Sequence, residues 1–335
     1  MSSSSSSSPL ISILSNVSQQ ITIYLGTFLI IIGVIGGILN IIIFLSLRTF
    51  RENSCAFYLL IMSFVNIGQL FSGQLSRTMI SGYSIDWTLS SLFYCKFRWF
   101  FIQGFTIISF SCMCFATIDQ YLSTSYNRRY QQWNNIKLAC YLCIIAFICA
   151  IAHGIPSTIY YNHTISLTTN KTICTITNNI YQKYRTYVYF TVIAGALPVF
   201  ISVLFGSLSY RNVQQLSYRQ VPVIRRELDK QLTRMVLVQD VYIFIAIVPY
   251  TIVLITETFV NVQNNPIGNA QLQFAESLTA TIYYTFFSFP FYIYIIVSKR
   301  FRQQLIYVLS RIYNHFGRQL PIVNNQIAPE TTNIN

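Results

Sequence analysis

Hydrophobic residues gather into seven long runs separated by short polar stretches. The runs cover about residues 22–47, 56–80, 92–123, 138–160, 187–209, 232–258 and 271–297. Each is close to the ~20 residues that carry a helix across ~30 Å of hydrocarbon. A segment in lipid must satisfy its own backbone N–H and C=O groups, so each run predicts a helix. The runs are continuous and lack the short alternating pattern of a transmembrane β-barrel. Polar residues interrupt the second and seventh runs, so their ends are the least sharply defined. No internal repeat is visible, which argues against an inverted-repeat transporter. The expected fold is all-α, a seven-transmembrane helix bundle.

Composition agrees with that pattern. Of 335 residues, 53% are apolar and 9% charged, against about 25% charged in soluble domains. Mean hydropathy is +0.49. So few charges cannot cover a soluble globule of this size, and so much apolar surface excludes intrinsic disorder. The +13 net charge raises nucleic-acid binding as a reading, but the basic residues sit between apolar runs, where they report topology. One set of connections and the carboxyl-terminal segment hold sixteen Lys and Arg, from Arg48 to Arg318; the opposite set holds six: Arg77, Lys96, Arg98, Lys171, Lys183 and Arg185. The positive-inside rule then predicts an extracellular amino terminus and a cytoplasmic carboxyl terminus.

The ends complete the organisation. Residues 1–20, with a serine run from Ser2 to Ser8 and no basic leader, read as a disordered extracellular tail without a cleaved signal peptide. The bundle covers 21–298. After it, Phe301, Leu305, Val308, Leu309, Ile312 and Phe316 fall on one helical face flanked by Lys299, Arg300 and Arg302. That pattern predicts a short amphipathic cytoplasmic helix over 299–317 on anionic lipid. Residues 318–335 form a cytoplasmic tail.

Three strict N-x-S/T sequons, at Asn16, Asn162 and Asn170, all fall on the side the charges place outside, and are candidate glycosylation sites. Of eight cysteines, Cys95 and Cys174 fall at the outer surface, where disulfides persist. A bridge between them and two free thiols are the alternatives. Cys140 and Cys143 lie inside an apolar run without a second ligand pair and read as buried helix cysteines, so no metal site is expected. Gly33 and Gly37 form a G-x-x-x-G pair open to two readings, close helix packing or lipid exposure. Asn40 and Asn66 lie in hydrocarbon and need internal partners; a bond between the first two spans would satisfy both. Pro156, Pro198, Pro249 and Pro290 put a kink in four spans, which suits a bundle enclosing a polar cavity.

Taken together, these features resemble the rhodopsin-like G-protein-coupled receptors over about residues 20–317. Asn40 closes Gly36-Gly37-Ile38-Leu39-Asn40 as the family's helix-one Asn does. Asp119-Gln120-Tyr121 stands at the family's Asp-Arg-Tyr position, the central Arg replaced. Pro290-Phe291-Tyr292-Ile293-Tyr294 resembles its Asn-Pro-x-x-Tyr, and Phe301-Arg302 the start of its eighth helix. The departures are equally specific. Asn66 replaces the usual helix-two Asp, Ala246-Ile247-Val248-Pro249 lacks the switch tryptophan, span four lacks its Trp, and no cysteine follows Cys174 for a palmitoyl anchor.

The resemblance implies a Cys95–Cys174 bridge, a plasma-membrane receptor and a heterotrimeric G protein as partner. It assigns switch roles to Asp119, Gln120, Tyr121, Asp229 and Tyr294. Gln120 cannot form the family's ion pairs with Asp119 and Asp229, so a weak latch, raised basal activity and a turn of Asp119 toward Arg128 or Arg129 are expected. Asn66, even with Ser109 nearby, lacks the charge that anchors the family's sodium ion.

Ile102 stands where amine receptors carry Asp, and residues 271–297 hold no Lys for retinal. The alternating stretches 164–168 and 172–177 signal a hairpin that resembles the outer loop of peptide receptors, so a peptide is the expected ligand. Ile102, Gln103, Glu257 and Glu276 are the candidate contacts, the carboxylates as partners of a basic ligand or as solvated interfacial groups. Asp240, the one acid deep in a span, reads as a helix-six group facing the cytoplasmic side. No G-x-S-x-G, H-E-x-x-H or P-loop occurs, so neither catalysis nor a cofactor is expected. The competing class is a non-signalling seven-span scaffold or a ligand-gated channel subunit.

Overall fold

The computed structural model describes residues 7–46, 48–165, 172–216, 223–259 and 266–315. Six unbroken helical stretches are long and apolar enough to cross a membrane: Pro9–Ser46, Ser54–Gly82, Leu92–Thr124, Ile136–Tyr160, Asn179–Gln215 and Lys230–Glu257. A seventh, Pro266–Ser288 followed by Pro290–Val297, bends by 58° at its break. The chain is a seven-helix bundle, its spans numbered one to seven below. Ile144, Ile148, Ile151, Ile155 and Ile159 of span four are exposed, which is a lipid-facing surface rather than a soluble one.

The first span corrects the expected disordered tail. Its helix begins at Ser7. Side chains of the extension find partners across the bundle: Ser18 Oγ donates to Ser277 Oγ at 2.6 Å, and Gln19 Nε2 to the Gly82 carbonyl at 2.7 Å. Residues 1–6 and the 318–335 tail lie outside the described residues.

Small residues set how close span one comes to its neighbours. A Cβ at Gly33 would stand 2.5 Å from Leu70 Cδ1 and 3.0 Å from the Ser288 backbone, and one at Gly37 would stand 2.7 Å from Ile67. The G-x-x-x-G pair is therefore a packing seam against spans two and seven.

The prolines act in different ways. Pro156 and Pro249 lie inside continuous helices. Pro290, with no N–H to donate, opens a new helix after the bend. Pro198 follows a thirteen-residue stretch of wide π-turns, Tyr184–Ala196. Two shorter π stretches, Leu70–Leu75 and Thr78–Gly82, interrupt span two. π-Turns gather at functional sites, and here they flank one end of the bundle.

At that end the chain after span four forms an antiparallel hairpin, β1 (Tyr161–Ile165) and β2 (Thr172–Ile176), with His163 opposite Cys174. The first strand begins three residues earlier than the alternation predicts because it continues directly from span four. A Cys95–Cys174 disulfide, with Cα atoms 5.8 Å apart, ties the hairpin to the start of span three. At the opposite end the amphipathic helix Lys299–His315 follows span seven. Its Phe301 and Val308 are buried, and Gln304 Nε2 donates to Ser46 Oγ at 2.8 Å. Leu309, predicted on the same face, is exposed.

Candidate functional site

Beneath the hairpin a cavity of about 1070 Å³ opens into the bundle. Spans two, three, five, six and seven and both strands contribute to it. Its floor is aromatic: Tyr189, Tyr250, Tyr283 and Tyr284, with Ile102 and Thr106 beside them. Tyr250 and Tyr283 rings lie 4.9 Å apart, and Thr106 Oγ1 and Tyr283 Oη share a hydrogen bond of 3.4 Å.

The walls are charged. Arg77, Arg98, Lys183 and Arg185 face Asp86, Glu257 and Glu276. Arg77 Nη1 meets Glu276 Oε1 at 3.0 Å, joining spans two and seven. Asp86 Oδ1 accepts from the Thr88 N–H at 2.8 Å and the Thr88 hydroxyl at 2.6 Å, capping the short helix Trp87–Ser90. Arg185, from the π-turn stretch of span five, lays its guanidinium carbon 3.9 Å from the Trp99 ring centre; that of Arg98 lies 5.2 Å from the same ring. Trp99 in turn stacks on Tyr161, with centroids 5.6 Å apart. Burial pushes the Tyr161 phenol up to about 12, against the opposing pull of Arg185, so Tyr161 is a neutral platform at physiological pH.

The candidate contacts divide. Ile102, Glu257 and Glu276 line the cavity, although Glu276 is already paired with Arg77. Gln103 turns away: it is 1% exposed, and its Oε1 accepts from Ser157 Oγ at 2.7 Å. One helix residue is about 100° of rotation, enough to move position 103 off the face that carries Ile102.

At the opposite end two neutral pairs and two buried carboxylates join the helices. Thr233 Oγ1 of span six donates to Gln120 Oε1 of span three at 2.7 Å. Tyr294 Oη donates to Gln239 Oε1 at 2.5 Å. Asp119 accepts from Ser54 Oγ at 2.7 Å and Asn134 Nδ2 at 3.4 Å. The Arg128 side chain lies outside the described residues, and Arg129 is exposed. Tyr121 rests against Phe205, with ring centres 5.5 Å apart. Asp229 belongs to the helix Val223–Phe259, but its side chain lies outside the described residues. Asp240 Oδ1 accepts from Thr117 Oγ1 at 2.9 Å, bridging spans six and three. It also borders a second cavity of about 1260 Å³ between spans five and six.

Deeper in the bundle the expected Asn40–Asn66 bond does not form. Asn66 Oδ1 accepts from Ser109 Oγ of span three at 2.6 Å, while Asn40 Oδ1 is buried without a protein partner among the described residues. The seam at Gly33 and Gly37 fixes the rotation of span one, and Asn66 faces span three instead.

The family model for seven-transmembrane receptors of the rhodopsin family matches residues 36–299. The chain belongs to the rhodopsin family. It is thus a multi-pass membrane receptor, a class whose work is signalling rather than catalysis. No curated protein matches it.

Against the family pattern, the bundle bonds Gln120 and Tyr294 to span six, with Thr233 and Gln239 as their partners. These two partners carried no signal in the sequence, since a Thr and a Gln in a span are ordinary residues. The cavity cations were visible only as outer charges. The spacing of Cys95, Arg98, Trp99 and Ile102, which puts them on one helix face, was the available clue. Asn16 is exposed on the extended first helix and Asn162 on β1; Asn170 lies outside the described residues.

Proposed function

We propose that this rhodopsin-family receptor sits in the plasma membrane, binds an extracellular peptide under its hairpin and activates a heterotrimeric G protein at the opposite end. The observation that carries the ligand half is the cavity of about 1070 Å³. It is at the upper end of small-ligand sites, takes several residues of a peptide, and is roofed by a strand pair whose edge offers backbone hydrogen bonds. The transducer half rests on Gln120–Thr233 and Tyr294–Gln239, which link span six to spans three and seven at the end nearest the eighth helix. A ligand that draws spans five to seven together at the cavity would strain those two contacts.

Positive-inside counting and the sequons support an extracellular hairpin end. Glycosidase treatment of cell-expressed protein should increase its gel mobility, and a carboxyl-terminal tag should stain only after permeabilisation. The functional test is peptide-library-driven nucleotide exchange on a panel of G proteins in membranes holding the full chain. A peptide that raises exchange supports the reading. Peptide binding without exchange on any G protein would favour a non-signalling receptor, the second reading, which Gln120 in place of the family's arginine supports.

A further inference from the structure

The guanidiniums of the cavity are not equivalent. Arg77 is paired with Glu276 at 3.0 Å, although its Nε, too, is buried without a hydrogen-bond partner. Arg98 and Arg185 have no carboxylate within 4.0 Å among the described residues, and the Nε of each is buried without a hydrogen-bond partner. Both instead lie over Trp99, at 5.2 and 3.9 Å. Two like charges gathered on one indole in a bilayer-embedded site repel and are poorly solvated. Stacking offsets part of that cost and leaves the N–H edges of each guanidinium free, because a ring face engages the plane and not the rim. Asp86 and Glu257 act on them only through space, Asp86 on Arg98 and Glu257 on Arg185, and among the described residues neither comes within ion-pair distance.

We propose that Arg98 and Arg185 form an anion anchor, and that the ligand of this cavity presents a carboxylate or phosphate group to them. This rests on the reading of the cavity as the ligand site. It reverses the sign of one of the two readings the sequence left open for Glu257 and Glu276, that of partners for a basic ligand. A planar or tetrahedral oxyanion accepts bidentate bonds from guanidinium forks, and the Trp99–Tyr161 stack holds the forks while the anion arrives. The apolar and phenolic floor then receives the uncharged part of the ligand. The oxyanion has two chemical sources, a peptide carboxylate or an acidic lipid.

The test is direct binding to the full chain in nanodiscs, using matched pairs: a hexapeptide library with free carboxyl termini against the same library amidated, and oleate against oleamide. At least tenfold tighter binding of the acid member is expected in one arm, and the arm that shows it names the source. Arg98→Gln and Arg185→Gln should each remove most of that preference while leaving the affinity of the neutral member unchanged. That second readout separates loss of the anchor from loss of the fold. Arg98→Lys should restore only part, because the charge remains without the fork. Lys137→Gln, at an exposed position of the opposite end, should keep the preference. Equal affinity within the pairs, a preference for the amide, or an acid preference that survives both Arg→Gln variants overturns the anchor. If peptides drive exchange without acid preference, the anchor fails and the receptor reading stands. If no peptide or lipid probe binds the folded chain, both the anchor and the cavity reading fall.

Discussion

The two ends of the bundle are held by different forces. At the hairpin end a disulfide, the Arg77–Glu276 ion pair and stacking on Trp99 tie spans two, three, five and seven together. At the opposite end two neutral hydrogen bonds, Thr233 to Gln120 and Tyr294 to Gln239, and one carboxylate contact, Thr117 to Asp240, join spans three, six and seven. A neutral hydrogen bond contributes about 1 kcal/mol net, so displacing span six costs little there. Contacts that involve full charge or a covalent link cost several times more to break. The hairpin end therefore carries the stronger ties and the opposite end the weaker ones. A ligand shifts such an equilibrium only by its differential affinity for the two states, and a low cost at the weaker end leaves that differential sufficient.

The largest effect is expected from cutting the stronger end. Cys95→Ser opens a loop closed over 79 residues, a loss of about 4 kcal/mol by chain entropy. Surface delivery should fall sharply, as read by staining of intact cells. A variant that reaches the surface with unchanged thermal stability would place the stronger ties elsewhere.

Removing one partner of the ion pair comes next. Arg77→Gln or Glu276→Gln leaves a lone charge beside the tyrosine floor and should cost about 2 kcal/mol, measured as a lower melting temperature in detergent. The double change to Met should recover at least half of that. If it is worse than either single variant, the pair is not the tie between spans two and seven.

At the weaker end, Thr233→Val removes one neutral bond. About 1 kcal/mol of lost latch corresponds to a roughly fivefold rise in the active population, read as basal nucleotide exchange at matched expression. Gln120→Arg should act in the opposite direction and lower the basal signal. Equal basal exchange in wild type and both variants would show that the Gln120–Thr233 contact does not restrain span six.

The smallest expected effect is none. Asn66 spends its Oδ1 on Ser109 and carries no charge, so sodium should not change agonist affinity beyond an ionic-strength control. A Na⁺-specific shift abolished by Asn66→Ala would restore a cation site between the two ends.

Much of the architecture was legible in the chain. Seven runs near span length gave seven helices, and the two cysteines placed outside by topology are bridged. Both readings rest on properties that accumulate along one dimension, hydropathy and position. The tail was misjudged because polar composition from Ser12 to Gln20 looked like solvent-exposed chain, whereas Ser18 and Gln19 spend their polarity on other helices. Glu276, read from its place near the outer end of a span, does line the cavity but is already paired with Arg77, and Gln103 faces Ser157 instead; position along a span gives depth and not direction.

By itself the sequence determined the class of molecule: how many helices, which residues are deep in lipid, which end gathers the positive charge, and that position 120 carries no charge. Tertiary structure alone decided which polar groups meet. It gave Glu276 to Arg77, Asn66 to Ser109 and Thr233 to Gln120, and left Arg98 and Arg185 without a carboxylate around Trp99. The reason is rotational. Each residue turns a helix by about 100°, so a side chain's partner depends on the angle at which its helix docks. That angle is set by packing among all seven spans, as at Gly33 against Leu70 and Ser288, and no single segment encodes it.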